Sequence, residues 1–179
     1  ELGVETIPQL KKAIQSGTIS SMKGLGEKSA QKILESIEHR EEYGKRTPIG
    51  LIFNKLEEIK QTMAKHPKSL QVEIAGSARR FRETIGDVDL LVSCKSEDRQ
   101  EILQFFQQQD FLRQIEASGD TKITARLHNG IQIDLRVVNP DEFGAALQYF
   151  TGSQVHNVNL RTLSKQQNYK INEYGIFKI

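Results

Sequence analysis

Asp87-Val88-Asp89 and Asp134 are the residues of this sequence best suited to do chemistry. Both lie in apolar runs that alternate with period two: Val88, Leu90 and Val92 around the pair, and Ile131, Ile133, Leu135 and Val137 around Asp134. Such alternation describes a strand, where residues two apart share a face with Cβ atoms about 6–7 Å apart. Asp87 and Asp89 can therefore share a divalent cation bound through oxygen. A third carboxylate brought in from a neighbouring strand completes a site for two cations about 3.5–4 Å apart. Asp-x-Asp on the wet face of a strand is common, and alone it is more often solvated surface than metal site. Aspartate is nonetheless disfavoured in strands, so three of them in apolar β runs call for a reason.

The segment before the pair supplies one. A strand carrying Val72 and Ile74 runs into Ala75-Gly76-Ser77-Ala78-Arg79-Arg80. A Gly-Ser turn at a strand end lets backbone N–H groups and a hydroxyl approach phosphate oxygens, and a nearby Arg neutralises them. A lone Gly-Ser is usually an ordinary turn. Followed by Asp-x-Asp on the next strand, it has the spacing of the nucleotidyltransferase superfamily.

The elements that must hold these residues are legible in outline. Thr6 caps a helix with Pro8 in its first turn and Ile7, Leu10, Ala13 and Ile14 on one face, ended by Gly17. Gly24-Leu25-Gly26 leads into a second helix carrying Ala30, Ile33, Leu34 and Ile37. A charged stretch from Glu38 to Arg46 marks a boundary. Thr47-Pro48 is expected to open a longer helix with Ile52, Leu56, Ile59 and Met63 inward, stopped at His66-Pro67-Lys68. A helix from Ser96 to about Gln109 follows the Asp-x-Asp strand. Lys122 to Leu127 forms a strand joined to that of Asp134 through Asn129-Gly130, a type I′ hairpin signal. After Pro140 the chain returns to helices capped at Asn139 and near Ser153. The fold class is α+β: a mixed sheet with flanking helices, preceded by a small helical module.

Bulk properties exclude several classes. Hydrophobic residues make up 37% and charged residues 27% of the 179, an ordinary globular composition. No apolar run approaches the roughly 18 residues of a membrane span, so no membrane partner is expected and the location expected is cytoplasmic. The single Cys94 excludes an internal disulfide and suits a buried structural thiol. A net charge of +2 is too mild to announce nucleic acid by itself. The first residue is not Met, and the last residues have the look of a strand entering something further, so an excised fragment is expected.

Beyond the palm-like motifs, Tyr149-Phe150-Thr151-Gly152-Ser153, then Asn157 and Arg161, closely resemble the segment after the palm of family X DNA polymerases. Gly76-Ser77 with Arg79-Arg80, Gly86-Asp87-Val88-Asp89 and Ile133-Asp134-Leu135-Arg136 match that family's palm motifs in order. Gly24-Leu25-Gly26 resembles its helix-hairpin-helix turn. The resemblance covers essentially the whole chain and is strongest to bacterial members. It implies a helix-hairpin-helix module over 1–45, a nucleotidyltransferase palm over 46–140 and the start of a nucleotide-selecting subdomain over 141–179.

It also implies roles. Asp87 and Asp89 would bind two Mg2+ ions, for which Mn2+ can substitute, and Asp134 would bind the catalytic one and accept the primer 3′-hydroxyl proton. Ser77 and Arg80 would hold the β- and γ-phosphates of a dNTP, with the Gly76 and Gly86 backbones nearby. Tyr149, Phe150 and Gly152 would lie under the sugar and disfavour a ribose, while Asn157 would reach the base edge. Arg161, Gly24, Gly26 and Lys28 would contact gapped or primer-template DNA, with a monovalent cation at the hairpin. Arg136 would pair with an aspartate and change partner on closing. The expected protein is a monomeric polymerase core for short-gap repair synthesis, and a fragment cut from its flanking modules is expected to bind DNA weakly and can be inactive alone.

The sequence departs from the family pattern at Ala78, Gln154 and His156, where an aromatic, an aspartate and an aromatic are usual. Neither an amino-terminal lyase module nor a carboxy-terminal PHP phosphoesterase domain is visible. Two other readings compete: a nucleotidyltransferase using the same palm on a small molecule or tRNA end, and a module that only binds DNA.

Overall fold

The structure, a computed structural model, describes residue 4 and residues 6–22, 25–38 and 46–179. Gly24, the side chain of Ile37 and the charged stretch 39–45 lie outside the described residues. The chain divides into two compact units, Glu1–Lys45 and Arg46–Ile179.

In the first unit, α1 (Ile7–Gln15) starts at a capping box, in which Thr6 and Gln9 satisfy each other's backbone N–H through their side chains. Helix α2 spans Glu27–Glu38. Ile14, Ile19 and Ala30 form a small core with Leu10, Ala13, Leu25, Ile33 and Leu34 around it.

The second unit is built on a five-stranded sheet. Its strands are β2 (Gln71–Ile74), β4 (Asp87–Ser93), β5 (Leu112–Ser118), β6 (Lys122–Leu127) and β7 (Gln132–Val138), in the order β2-β4-β7-β6-β5. The central β4–β7 pair is parallel and all other neighbours are antiparallel. A parallel pair needs a long crossover, here supplied by α5 (Arg99–Gln107), β5 and β6. One face of the sheet presents Val88, Leu90, Val92, Ile123, Ala125, Ile133, Leu135 and Val137 to α5 and to α3 (Phe53–Ala64). Burying each such branched side chain stabilises the unit by about 1.5–3 kcal/mol. The opposite face is apolar only at its far end, where Leu91 and Val138 meet Phe143 and Ala146 of α6 (Phe143–Thr151). Between that patch and the strand starts, the face is left to polar side chains.

Several local expectations differ from what forms. Thr47–Pro48 does not open a helix; it is a short strand, β1, paired with β3 (Thr84–Ile85), and a 3-10 turn over Ile49–Leu51 precedes α3. Pro48 lacks the N–H that a central strand would need, which a two-residue edge pairing tolerates. The segment after β2 is a single helical turn, α4 (Gly76–Arg79), rather than a simple bend. The β6–β7 hairpin exists, but its turn is not type I′, because Gly130 at φ 84 is left-handed and Asn129 is not. Gly130 N–H donates to Leu127 O and Leu127 N–H to Ile131 O, the pattern of a three-residue loop ending in a left-handed glycine. Asn139 does not cap α6; its side-chain oxygen accepts from Ser96 Oγ and Arg99 Nη2. Ser153 does cap α7 (Gln154–Gln166), accepting from the His156 N–H. The unit ends in a hairpin of β8 (Tyr169–Asn172) and β9 (Gly175–Lys178). Among the described residues, no helix is long and apolar enough to cross a membrane.

Candidate nucleotidyl-transfer site

The parallel register of β4 and β7 brings the three aspartates together. Asp89 and Asp134 are direct Cα partners, and Asp87 stands one alternation back, opposite Gln132. All three lie on the face away from the main core, as their apolar neighbours require. Burial, then the charges of Asp87 and Asp134, push the Asp89 carboxyl up to about 6, against the opposing pull of Arg136 and Lys122. Negative charge is concentrated here, which is what a set of hard oxygen donors for divalent cations needs.

Among the described residues, no group of three or more acids, His or Cys is gathered closely enough to hold an ion. Asp134 is turned sideways along its own face. Its Oδ1 accepts from Thr124 Oγ1 at 2.7 Å and from Gln132 Nε2 at 3.3 Å, and its Oδ2 pairs with Lys122 Nζ at 2.8 Å. The carboxylates repel one another, and Lys122 on β6 supplies Asp134 with a countercharge.

Gly76 fixes Asp89 from the other side. Its φ of 61 is left-handed, and a Cβ there would stand 2.1 Å from Asp89 Oδ2. The glycine thus serves both a backbone conformation and the seat of a carboxylate. The Ala75 N–H donates to Asp89 O at 2.8 Å and ties the start of α4 to β4. Beside it, Ser77 Oγ is buried and, among the described residues, has no hydrogen-bond partner; Thr151 Oγ1 is in the same state. A buried hydroxyl without a partner costs on the order of 1–3 kcal/mol, a cost an incoming ligand oxygen would remove.

Gly76 and Ser77 line one cleft of about 1110 Å³, together with Arg80, Tyr149, Phe150, Gly152 and Asn157. Asp87 and Asp89 reach its wall; Asp134, turned toward Lys122, does not. Arg80 Nη1 donates to Thr151 O, across the turn that carries Gly152 at φ 64. Tyr149 and Phe150 meet edge-on with centroids 5.2 Å apart. Asn157 is held rigidly: its Nδ2 donates to Tyr149 O at 2.7 Å and its Oδ1 accepts from Gln148 Nε2 at 3.0 Å.

Other expected residues fall elsewhere. Among the described residues, Arg136 makes no ion pair with an aspartate; its guanidinium lies over the Phe150 ring at 4.4 Å from the centroid. Lys122 has taken the position at Asp134. Arg161 is exposed, away from the cleft, beside Thr162 and Lys165. Gly86 adjoins the cleft, with Arg46 Nη1 3.5 Å from where its Cβ would be. Gly26 and Lys28 belong to the first unit.

The cleft also contains residues that pattern reading passed over: Arg46, Arg82 and Thr84. Arg46 Nε donates to Thr84 Oγ1 at 2.9 Å, so the short β1–β3 pairing turns an arginine from the charged stretch onto the site. Lys122 and Thr124 were hidden by the turn: a two-residue Asn129-Gly130 loop would set Thr124 opposite Leu135, whereas the three-residue loop pairs Thr124 with Asp134 and Lys122 with Arg136.

A mixed sheet with acids on its open face, beside a glycine-serine turn and a short helix, is the arrangement of a polymerase palm. A family described as DNA polymerase beta palm matches residues 51–141, and one described as DNA polymerase beta thumb matches residues 146–179. The chain belongs to the polymerase beta-like, family X, DNA polymerases. The DNA polymerase/3′-5′ exonuclease PolX of Bacillus subtilis is 32% identical over 180 residues, covering 98% of this chain and 31% of that protein. The repair DNA polymerase X of African swine fever virus is 31% identical over 114 residues, covering 62% of this chain and 66% of the viral one. The chain thus spans about a third of the bacterial relative. In fold it is similar to Leishmania infantum polymerase beta in a ternary gap complex, at a TM-score of 0.73 and 20% identity, over 94% of this chain and 61% of that one.

Proposed function

We propose that this chain is the core of a template-directed DNA polymerase that fills short gaps by transferring a nucleotide from a dNTP to a primer 3′-hydroxyl. The observation that carries the reading is the register of Asp89 with Asp134, with Asp87 on the same face and the Gly76-Ser77 turn against Asp89. The bacterial and viral relatives carry polymerase names, and the Leishmania relative was solved as primer-template and gap complexes, which supports DNA as the partner.

Phosphoryl transfer needs positioning and charge neutralisation more than covalent chemistry. The Ser77 hydroxyl, buried and unpartnered among the described residues, is free to donate to a phosphate oxygen, and Arg80, at the end of α4, brings a cation to the same wall. Gly76, lacking a side chain, lets that wall close onto Asp89. The edge-on Tyr149 and Phe150 offer an apolar floor for a sugar, and Gly152 leaves no side chain to cushion a 2′-hydroxyl. Asn157 is preset by two hydrogen bonds and would have to exchange one to meet a base edge. Asp134 is the acceptor for the proton of the attacking hydroxyl. Asp87 and Asp89, joined by Asp134 once it leaves Lys122, would hold two divalent cations, Mg2+ or Mn2+, which would supply neutralisation for the attacking oxygen and the departing pyrophosphate.

The first unit, residues 1–45, would act as a helix-hairpin-helix module. There, Gly24 and Gly26 would offer backbone N–H groups to a DNA phosphate, with Lys28 and a monovalent cation nearby. Residues 46–140 would be the palm and 141–179 the start of the nucleotide-selecting part, with Arg161 on the template. The working unit would be a cytoplasmic monomer.

Single-nucleotide addition to a gapped duplex with Mg2+ tests the reading. Addition of only the dNTP complementary to the gap base is expected. Addition regardless of template, or to a tRNA end in preference to a gap, would contradict it.

A further inference from the structure

We infer that Lys122 is a resident countercharge for Asp134, and that a divalent cation takes up Asp134 only by displacing it. The inference rests on the proposed role of the three aspartates as cation ligands. Its basis is the surroundings of Asp134, whose two oxygens are both engaged. Oδ2 is taken by Lys122 Nζ at 2.8 Å, and Oδ1 by Thr124 Oγ1 and Gln132 Nε2. A carboxylate so engaged is tied to β6, and Asp134 is missing from the cleft wall that Asp87 and Asp89 reach.

Lys122 is suited to this exchange, whereas Arg136 is not. The Lys122 side chain is 36% exposed while that of Asp134 is 15% exposed, so the ammonium can swing into water and leave the acid behind. Lysine is a flexible point charge, unlike the planar guanidinium of Arg136, which is stacked on Phe150. Lys122 holds the acid face together while no cation does so, and it competes with the cation that replaces it. The cross-strand position makes this specific, since Lys122 stands diagonally from Asp134 through Thr124, its direct partner.

Removing the charge has two effects of opposite sign. The metal-free protein loses a partner for a half-buried acid and melts lower. The cation meets no competitor and binds tighter, by about tenfold for one unit charge some 6 Å from a divalent ion under water-like screening. Damage to the fold cannot produce tighter binding, so the gain separates displacement from simple support.

The experiment is Mn2+ binding followed by electron paramagnetic resonance, on wild type, Lys122→Met, Lys122→Arg and Asp89→Asn, with melting temperature recorded with and without Mn2+. We expect Lys122→Met to bind about tenfold tighter and to melt lower without metal, with Mn2+ restoring it by more than it raises wild type. Lys122→Arg, which keeps the charge, should bind Mn2+ no tighter than wild type. Unchanged or weaker binding by Lys122→Met, with binding still lost in Asp89→Asn, would overturn the displacement while leaving the aspartate site standing. Wild-type binding that survives Asp89→Asn would overturn both.

Discussion

Gly76→Ala perturbs the backbone and the site at one atom. At φ 61 any L-residue incurs the left-handed penalty, about 1–2 kcal/mol. The new Cβ would also lie 2.1 Å from Asp89 Oδ2, where ordinary contact begins at 3.4 Å, so the carboxylate must move by more than an ångström. Asp89 lines the cleft on its other side, so the carboxylate can turn aside at the cost of a strained rotamer, about 1 kcal/mol. The two effects add to about 2–3 kcal/mol, which for a unit of this size lowers the melting temperature by about 5–10 °C. Thermal unfolding of a double-mutant cycle with Asp89→Ala separates them. In the Asp89→Ala background the collision is gone and only the backbone penalty remains, so the cost of Gly76→Ala should fall by about 1 kcal/mol. An equal cost in both backgrounds would refute the contact, and no cost in wild type would refute the left-handed conformation as well.

Three further outcomes follow from single residues. The folded protein holds Asp89 near 6 against an ordinary 3.8, so the fold favours the protonated acid, and that advantage is full at low pH and lost as pH rises from about 4 to 6. Asp89→Asn should therefore stabilise the chelator-treated protein at pH 7 by on the order of 2–3 kcal/mol and have no effect at pH 3.5 in urea titrations; a destabilised variant at pH 7 would contradict the repulsion. Burial pushes the Cys94 thiol up and leaves it 1% exposed, so alkylation at pH 8 should be at least tenfold slower in buffer than in urea; equal rates would show an open thiol. Phe81 is left-handed at φ 50 and 70% exposed, touching Phe53 with centroids 5.9 Å apart. Phe81→Gly should raise stability by about 0.5–1 kcal/mol in chemical denaturation, whereas a loss would mean the ring contact outweighs the backbone.

What the sequence made legible follows from periodicity. β4 and β7 announce themselves because a strand with one buried face alternates, and the same alternation places all three aspartates opposite the core. Their direct pairing was not legible, since the parallel register of Asp89 with Asp134 is set by a crossover that no local pattern encodes. β5 was missed outright. Nearly every residue of Leu112–Ser118 is exposed, and two register shifts interrupt its pairing with β6, so no alternation survives. Such irregularity suits an edge strand that must not recruit another chain. Arg46 was hidden for a different reason: it sits in a run of charges, and only the β1–β3 pairing, read as a helix start, turns it toward Thr84. The surroundings of Arg136 were not legible, because residue type alone could not tell that Phe150 would lie beneath it and that Lys122 would reach Asp134.

The most direct measurement is extension of a gapped primer by wild type and Asp134→Asn, at saturating Mg2+ and dNTP, in single turnover. Asparagine keeps the shape and the Thr124 hydrogen bond but removes the proton acceptor and the charge. Wild type should fill the gap, and the variant should be slower by about 10³-fold or more while binding the same DNA with nearly unchanged affinity. Extension by Asp134→Asn within about tenfold of wild type, or none by wild type, would contradict the assignment of this acid face as a nucleotidyl-transfer site.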